Sequence, residues 1–374
     1  MTQEEYRAAM DEVIYLCACM VNGEEPDKER VAGMDLERLY KAADRHLLTG
    51  IVGYALEAVG IYESVFVQAK AKAIRKIVLF DAERAKVLQA LDEAGIWYMP
   101  MKGSVLKDLY PKIGMRQMAD NDILYDASRS DDVRAIMEGQ GFTTEEFGIS
   151  HHDHYNKEPV CNFEMHRIMF TDVTDVVFFR YYDNIKERLI KDPENACGYH
   201  FKAEDFYIYM IAHEYKHFSN SGTGLRSLLD TYVYLDQKGG ELDWTYIERE
   251  TQRLGIAEFE RNNRGLAMRL FSGERLTEKD EEMLGYVLSS GTYGTVKHRV
   301  FNSVRRLGGG MPGKAKYLLS RLFLPMDSIK SAYPFFYKHK ILLPVFFFYR
   351  IGKGLTLRRK RVVMELRVLI RQKD

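Results

Sequence analysis

The sequence predicts an α+β protein in which a small core of strands and helices, residues 94–180, is flanked by N- and C-terminal helical regions. Two observations predict it. Apolar residues recur at helical spacing over residues 2–58, 65–93 and 203–271. Between those stretches the texture changes to short aromatic and β-branched runs, among them Ile96-Trp97-Tyr98 and Ile123-Leu124-Tyr125.

Taken in order, Ala8, Val13, Leu16 and Met20 mark one helical face, and Asn22-Gly23 and Gly60 punctuate the first helices. Residues 65–93 contain no Pro or Gly, and Gly95 follows as a C′ glycine would. A first strand is expected over residues 96–101. Lys102-Gly103-Ser104 then opens a helix over 105–110, with Pro111 beyond it. Residues 122–125 read as a second strand. Residues 128–139 read as a helix, with Ser128 and Ser130 as N-caps and Asp131 and Asp132 in the first turn. Residues 160–170 read as a third strand. From 203 to 271 the pattern fits a helical bundle broken at Gly239-Gly240. The expected divisions are a helical region 1–93, the α/β core 94–180, a helical domain 181–290 and a basic, aromatic helical segment 291–374, with no internal repeat.

A hydrophobic content of 46% with 12% aromatics excludes a disordered chain. The net charge of zero conceals a split: residues 291–374 hold 19 Lys/Arg against three acids, and residues 1–290 hold 35 against 51. Four cysteines without a C-x-x-C pair give neither a disulfide framework nor that type of zinc site. The acidic start lacks the basic region of a signal peptide, so the cytoplasm is the expected compartment. The apolar run 341–349 is about half of what a membrane span needs.

The core carries the chemistry. Asp120 and Asp122, at i and i+2 on a strand, point to one face. Two such acids repel unless a cation lies between them, and hard divalent ions take oxygen ligands. Gly103-Ser104 at a helix start offers N–H groups and a hydroxyl to a phosphate. A third acid on a neighbouring strand, Glu164, would complete a two-metal site for in-line displacement, and Lys102 and Arg116 would neutralise a triphosphate.

This series resembles the nucleotidyltransferase superfamily of DNA polymerase β, and more narrowly the bacterial family of uncharacterised nucleotidyltransferases. The matching residues are Lys102-Gly103, Tyr110, Arg116, Asp120-x-Asp122-Ile123-Leu124 and Glu164-Met165-His166, then His213, His217, Leu225-Arg226 and Asp230. The resemblance covers about residues 70–240. It implies a polymerase β-like core with a mixed sheet. It also implies Mg²⁺ or Mn²⁺ on Asp120, Asp122 and Glu164, and NTP phosphates on Lys102, Gly103, Ser104 and Arg116. Glu164 would help deprotonate an acceptor hydroxyl, and His166, His213, His217, Arg226 and Asp230 would lie on the substrate side. Asn121 stands where an apolar residue is usual, which would leave the strand less buried there, and the spacer from Ser104 to Asp120 is long for the superfamily.

Other signals compete. His213-Glu214-Tyr215-Lys216-His217 spells the H-E-x-x-H of a zinc peptidase, yet Lys216 adds a cation and no third ligand follows at a known spacing. Residues 308–315 approach a P-loop but place Ala315 where a hydroxyl is needed, so a hinge is expected. His151-His152-Asp153-His154 reads as a loop cluster, either solvated or facing substrate. The tail interleaves aromatics with Lys338, Lys340, Arg350 and Lys353, then runs into Arg358-Arg359-Lys360-Arg361. It suits a helical lid or a peripheral contact with anionic lipid at the inner membrane face. It contains no motif that reads nucleic-acid bases. The expected function is transfer of a nucleoside monophosphate from an NTP to a hydroxyl of unknown identity, with a sugar or glycolipid as the guess. The alternatives are a catalytically silent binding module and, behind it, the zinc peptidase.

Overall fold

The helices begin where the sequence caps them. In α1 (Gln3–Val21) the Thr2 hydroxyl accepts from Glu5 N–H while the Glu5 carboxylate accepts from Thr2 N–H, a reciprocal capping box. Asp27 and Asp35 cap α2 (Lys28–Ala32) and α3 (Leu36–Arg45) with their carboxylates. α4 (Thr49–Ala58) and the 30-residue α5 (Ser64–Glu93) follow. The structure, a computed structural model, describes residues 1–171, 175–326, 329, 333–357 and 359–371. Its contacts divide the chain into two units, Met1–Glu214 with Gly224–Thr292, and Tyr215–Thr223 with Tyr293–Asp374.

The first unit holds a five-stranded mixed sheet of β1 (Tyr98–Pro100), β2 (Asn121–Tyr125), β3 (Thr143–Glu146), β4 (His152–Lys157) and β5 (Cys161–His166), in the order β1-β2-β5-β4-β3. β2 runs parallel to β5, and the other neighbours are antiparallel. The period-2 alternation divides the sheet sharply. Ile123, Tyr125, Tyr155, Phe163 and Met165 turn to one side and pack on Ile77, Phe80, Val87 and Leu91 of α5 and on Val133 and Met137 of α7 (Ser130–Gly139). The residues between them, Asp122, His152, His154, Glu164 and His166, turn to the opposite side. Burial of the apolar side fixes the register, because a slip by one residue would exchange the two faces.

Several details depart from expectation. β3 and β4 are strands where a loop with a histidine cluster is expected. The expected helix over 105–110 is one turn, α6 (Gly103–Leu106), followed by a 3₁₀ turn at Lys107–Leu109. Neither Ser128 nor Ser130 caps the helix before β3. Asp126 caps the preceding 3₁₀ turn, its carboxylate accepting from Ser128 N–H. Asn121 is fully buried rather than exposed, because its carbonyl accepts from Arg84 Nη1 of α5 at 2.9 Å. Beyond α8 (Val176–Tyr181) a small hairpin, Ile190–Lys191 with Tyr199–His200, interrupts a region expected to be helical. α9 (Ala203–Phe218), α10 (Leu225–Lys238), α11 (Trp244–Arg253), α12 (Ala257–Ser272) and α13 (Glu278–Ser290) make up the expected bundle.

In the second unit, α14 (Val296–Arg306) and α15 (Gly310–Leu322) are joined through Gly308, Gly309 and Gly310, all at positive φ. No strand of the described residues precedes that turn, as a P-loop would require. Helix Arg359–Arg371 brings a buried Glu365 to Arg321 at 3.1 Å and to the Tyr317 hydroxyl at 3.2 Å. Arg358, within the basic run noted above, lies outside the described residues. Among the described residues no helix is long and apolar enough to cross a membrane.

Candidate active site

The polar face of the sheet assembles the site. Asp122 of β2 pairs directly with Glu164 of the parallel β5, and Leu124 with His166. Asp120 lies just before the first residue of β2. Across the antiparallel pair, His154 stands opposite Glu164 and His152 opposite His166. Strand pairing alone therefore gathers Asp122, Glu164, His152, His154 and His166.

The electrostatics follow from that crowding. Burial, then the neighbouring Asp122 and Glu164 carboxylates, push Asp120 up to about 7. Lys76 of α5 and Arg226 of α10 face Asp120 and act in the opposite direction. Burial would lower His166, but its ion pairs with Asp122 (3.2 Å) and Glu164 (3.6 Å) raise it to about 9. Glu164 is driven the other way, to about 2, because His166, His152 and His154 outweigh its burial. Burial and the cationic His166 bring His152 down to about 4. Among the described residues three groups of donors could hold a metal ion: Asp122-Glu164-His166, His152-His154-Glu164 and His151-His152-His166.

The residues expected to hold phosphates lie deeper. The Ser104 hydroxyl is buried and donates to Met101 O at 2.7 Å. Lys102 is half-buried, with Nζ 3.3 Å from His213 Nδ1 of α9. A Cβ added at Gly103 would stand 3.0 Å from Met118 Cε and 3.3 Å from Arg116 Nη1, so these side-chain ends would have to give way. Arg116 itself is buried and grips Asp230 of α10 with two bonds, Nε to Oδ1 at 2.7 Å and Nη2 to Oδ2 at 2.9 Å. The Tyr110 hydroxyl donates to the same carboxylate at 2.8 Å, and Arg226 donates to Gln117 O at 2.8 Å. The long spacer between Ser104 and Asp120 is thus the segment that plugs Tyr110 and Arg116 into α10. Buried Asp230 is the anchor for Arg116 and Tyr110.

Glu214 of the H-E-x-x-H run is buried and accepts from Asn263 at 3.1 Å. Burial pushes its carboxyl up to about 7 despite Lys102. Among the described residues His213 and His217 belong to no group of three potential metal ligands. Sequence reasoning missed Lys76 and Tyr209. Tyr209 is buried on α9, where burial and the three carboxylates raise its hydroxyl. Neither belongs to a short motif, and only its place on a packed helix brings it to the site.

Leu124, two residues beyond Asp122 on the same face, also lines a cavity of about 310 Å³. Its wall includes Trp97, Phe170 and Tyr182, with Arg167 and Lys186 as cations. Phe170 and Tyr182 are stacked with centroids 5.1 Å apart, and Lys186 Nζ stands 5.3 Å from the Trp97 ring centre.

An α+β core in which Asp122 pairs with Glu164 on a parallel strand is consistent with a nucleotidyltransferase core. The family described as "Uncharacterised nucleotidyltransferase" matches residues 32–272, and the chain belongs to that family. No curated protein and no solved structure matches it. Membership supports nucleotidyl transfer in general, and it spans the whole sheet and the helices α9 to α12 around it.

Proposed function

We propose that the protein transfers a nucleoside monophosphate from an NTP to a hydroxyl acceptor, with Asp120, Asp122 and Glu164 holding Mg²⁺ or Mn²⁺. The observation that carries this is the pairing of Asp122 with Glu164 on parallel strands, with Asp120 two residues upstream. The donor set fits the ions: carboxylate oxygens suit hard cations, and Asp120 is pushed up by burial and then by the Asp122 and Glu164 carboxylates, a cost that a cation would relieve. Bound ions would lower the pKa of the acceptor hydroxyl and stabilise the charge developing on the phosphates.

The acceptor oxygen forms a bond to the α-phosphorus as the bond to the β-phosphate bridging oxygen breaks, and pyrophosphate leaves with that electron pair. The acceptor's proton passes to a carboxylate of the cluster. Lys102 and the buried Arg116–Asp230 pair keep the segment 102–120 in place, so the acids meet the substrate preorganised. Arg226 and Lys76 lend positive charge beside Asp120. The aromatic and cationic cavity beyond Leu124 suits the acceptor, for which a sugar or glycolipid is proposed.

Calorimetry with Mg²⁺–NTP and a pyrophosphate-release assay test the reading. Asp120→Ala and Asp122→Ala are expected to abolish Mg²⁺-dependent NTP binding, and Glu164→Gln to cut turnover by at least about a hundredfold. Unchanged Mg²⁺–NTP binding in both aspartate variants would sink the proposal. Binding without turnover on any acceptor pool would leave a silent binding module in its place.

A further inference from the structure

The histidines of β4 do not belong to the carboxylate site as read from the sequence, yet strand pairing presses them against it. His152 and His154 sit at i and i+2, so both rings leave β4 on the polar face. Asp153 between them points to the other side, fully buried, where Gly148 N–H donates to it at 2.7 Å and the Tyr125 hydroxyl at 3.3 Å. That anchor fixes which way the two rings turn. One donor atom from each of His152, His154 and Glu164 lies within 4.8 Å of the others.

The two imidazoles meet nitrogen to nitrogen, Nε2 to Nε2, at 2.9 Å. Two bare lone pairs at that distance repel, so the contact needs a shared proton or a shared cation. His152 Nδ1 is 3.5 Å and His154 Nδ1 3.8 Å from the Glu164 oxygens. Ligand atoms bound to one tetrahedral ion at about 2.0–2.1 Å stand roughly 3.4 Å apart, so donors of His152, His154 and Glu164 that lie within 4.8 Å of one another would draw together on binding. Beside them His166 Nδ1 is buried and has no hydrogen-bond partner. Two imidazoles with one carboxylate are a poor set for Mg²⁺, which prefers oxygen, and a good one for borderline first-row ions.

We propose that His152, His154 and Glu164 form a binding site for a divalent transition ion of the Zn²⁺ class, separate from the Asp120–Asp122 pair. The site shares Glu164 with the nucleotidyl-transfer reading but does not depend on transfer taking place. The ion supplements the oxygen-bound site, and Glu164 is the bridge between the two.

Full-length protein stripped with chelator and titrated with Co²⁺ decides the matter by visible absorption. The expected result, in excess Mg²⁺, is one Co²⁺ per chain with the strong d–d bands of a four-coordinate, nitrogen-containing site, displaced by Zn²⁺ and not by Mg²⁺. His152→Ala and His154→Gln are each expected to weaken Zn²⁺ binding by at least about tenfold, while Asp120→Asn keeps the Co²⁺ spectrum of the wild type. Absence of the bands in wild-type protein overturns the proposal without recourse to any variant. So does displacement by Mg²⁺, or undiminished Zn²⁺ binding in a folded His154→Gln protein. Loss of NTP binding with the Co²⁺ bands intact would strike the transfer reading alone. Intact NTP binding without the bands would strike this one alone.

Discussion

At the scale of the residue, Asp120 reports most directly on the site. Its carboxyl is pushed from 3.8 up to about 7, so between those values the folded chain holds a proton that the unfolded chain has lost. Metal-free stability therefore declines as pH rises through that window. A divalent cation competes for the ionised form, and its stabilising effect grows in the same direction. The melting temperature is expected to rise more on adding Mg²⁺ at pH 8 than at pH 5, and Asp120→Asn to flatten that difference. Equal shifts at both pH values would contradict the role given to Asp120. The acids were legible because an Asp-x-Asp followed by apolar residues keeps its spacing in any strand. The burial of Asn121 was not, since its partner Arg84 lies 37 positions away on α5.

Among the elements, two buried polar joints carry the architecture around the site. The Arg116–Asp230 pair ties the segment before β2 to α10. Removing one member leaves a buried charge alone, which costs about 3–5 kcal/mol. Urea unfolding is expected to register that loss in Asp230→Asn and in Arg116→Met, and a smaller loss in the double variant, where neither charge remains. The second joint is His46, fully buried, pushed down to about 3 by burial and then by Arg45. Its Nδ1 accepts from Leu225 N–H at 2.9 Å. Its Nε2 lies 2.8 Å from the Tyr6 hydroxyl, which donates to Leu288 O, so Nε2 carries the proton. Protonation of Nδ1 would set two donors face to face across the joint of α1, α10 and α13. The unfolded ring takes its proton near 6.5, so the His46 contribution is complete above that pH and is lost as pH falls towards 3. The expected slope reaches about 1.4 kcal/mol per pH unit and is absent from His46→Gln, as denaturant titrations at several pH values would reveal. Legibility differs here too. Helices announced themselves through caps and apolar spacing, but β4 did not. Its inward positions are Asp153 and Tyr155 and its outward ones are histidines, so the strand lacks the apolar alternation that identifies a half-buried strand. The property that hid the strand, a polar outer face, is the one that makes it part of the candidate site.

For the molecule as a whole, the charge split acquires a structural boundary. The basic excess was counted from residue 291, and the long segment of the second unit begins at Tyr293. That unit has Glu365 as the one acid among its described residues, enclosed by Arg321, Arg299 and Tyr317. Its exposed residues also include large apolar side chains, with Ile341 89% and Phe348 71% accessible. Lys338, Lys340 and Lys353 belong to the same stretch as those side chains, and apolar groups mixed with cations are what an anionic bilayer surface selects. Each such cation adds roughly 1 kcal/mol near the surface, and the attraction is screened by salt. The full-length protein is therefore expected to sediment with vesicles containing phosphatidylserine and not with vesicles of phosphatidylcholine alone, and to be released as ionic strength rises. Ile341→Ser combined with Phe348→Ser should weaken that binding while leaving Mg²⁺–NTP binding in the first unit unchanged. Binding indifferent to lipid charge would argue that the cations serve another partner. An acceptor drawn from a membrane glycolipid would then lose this physical support.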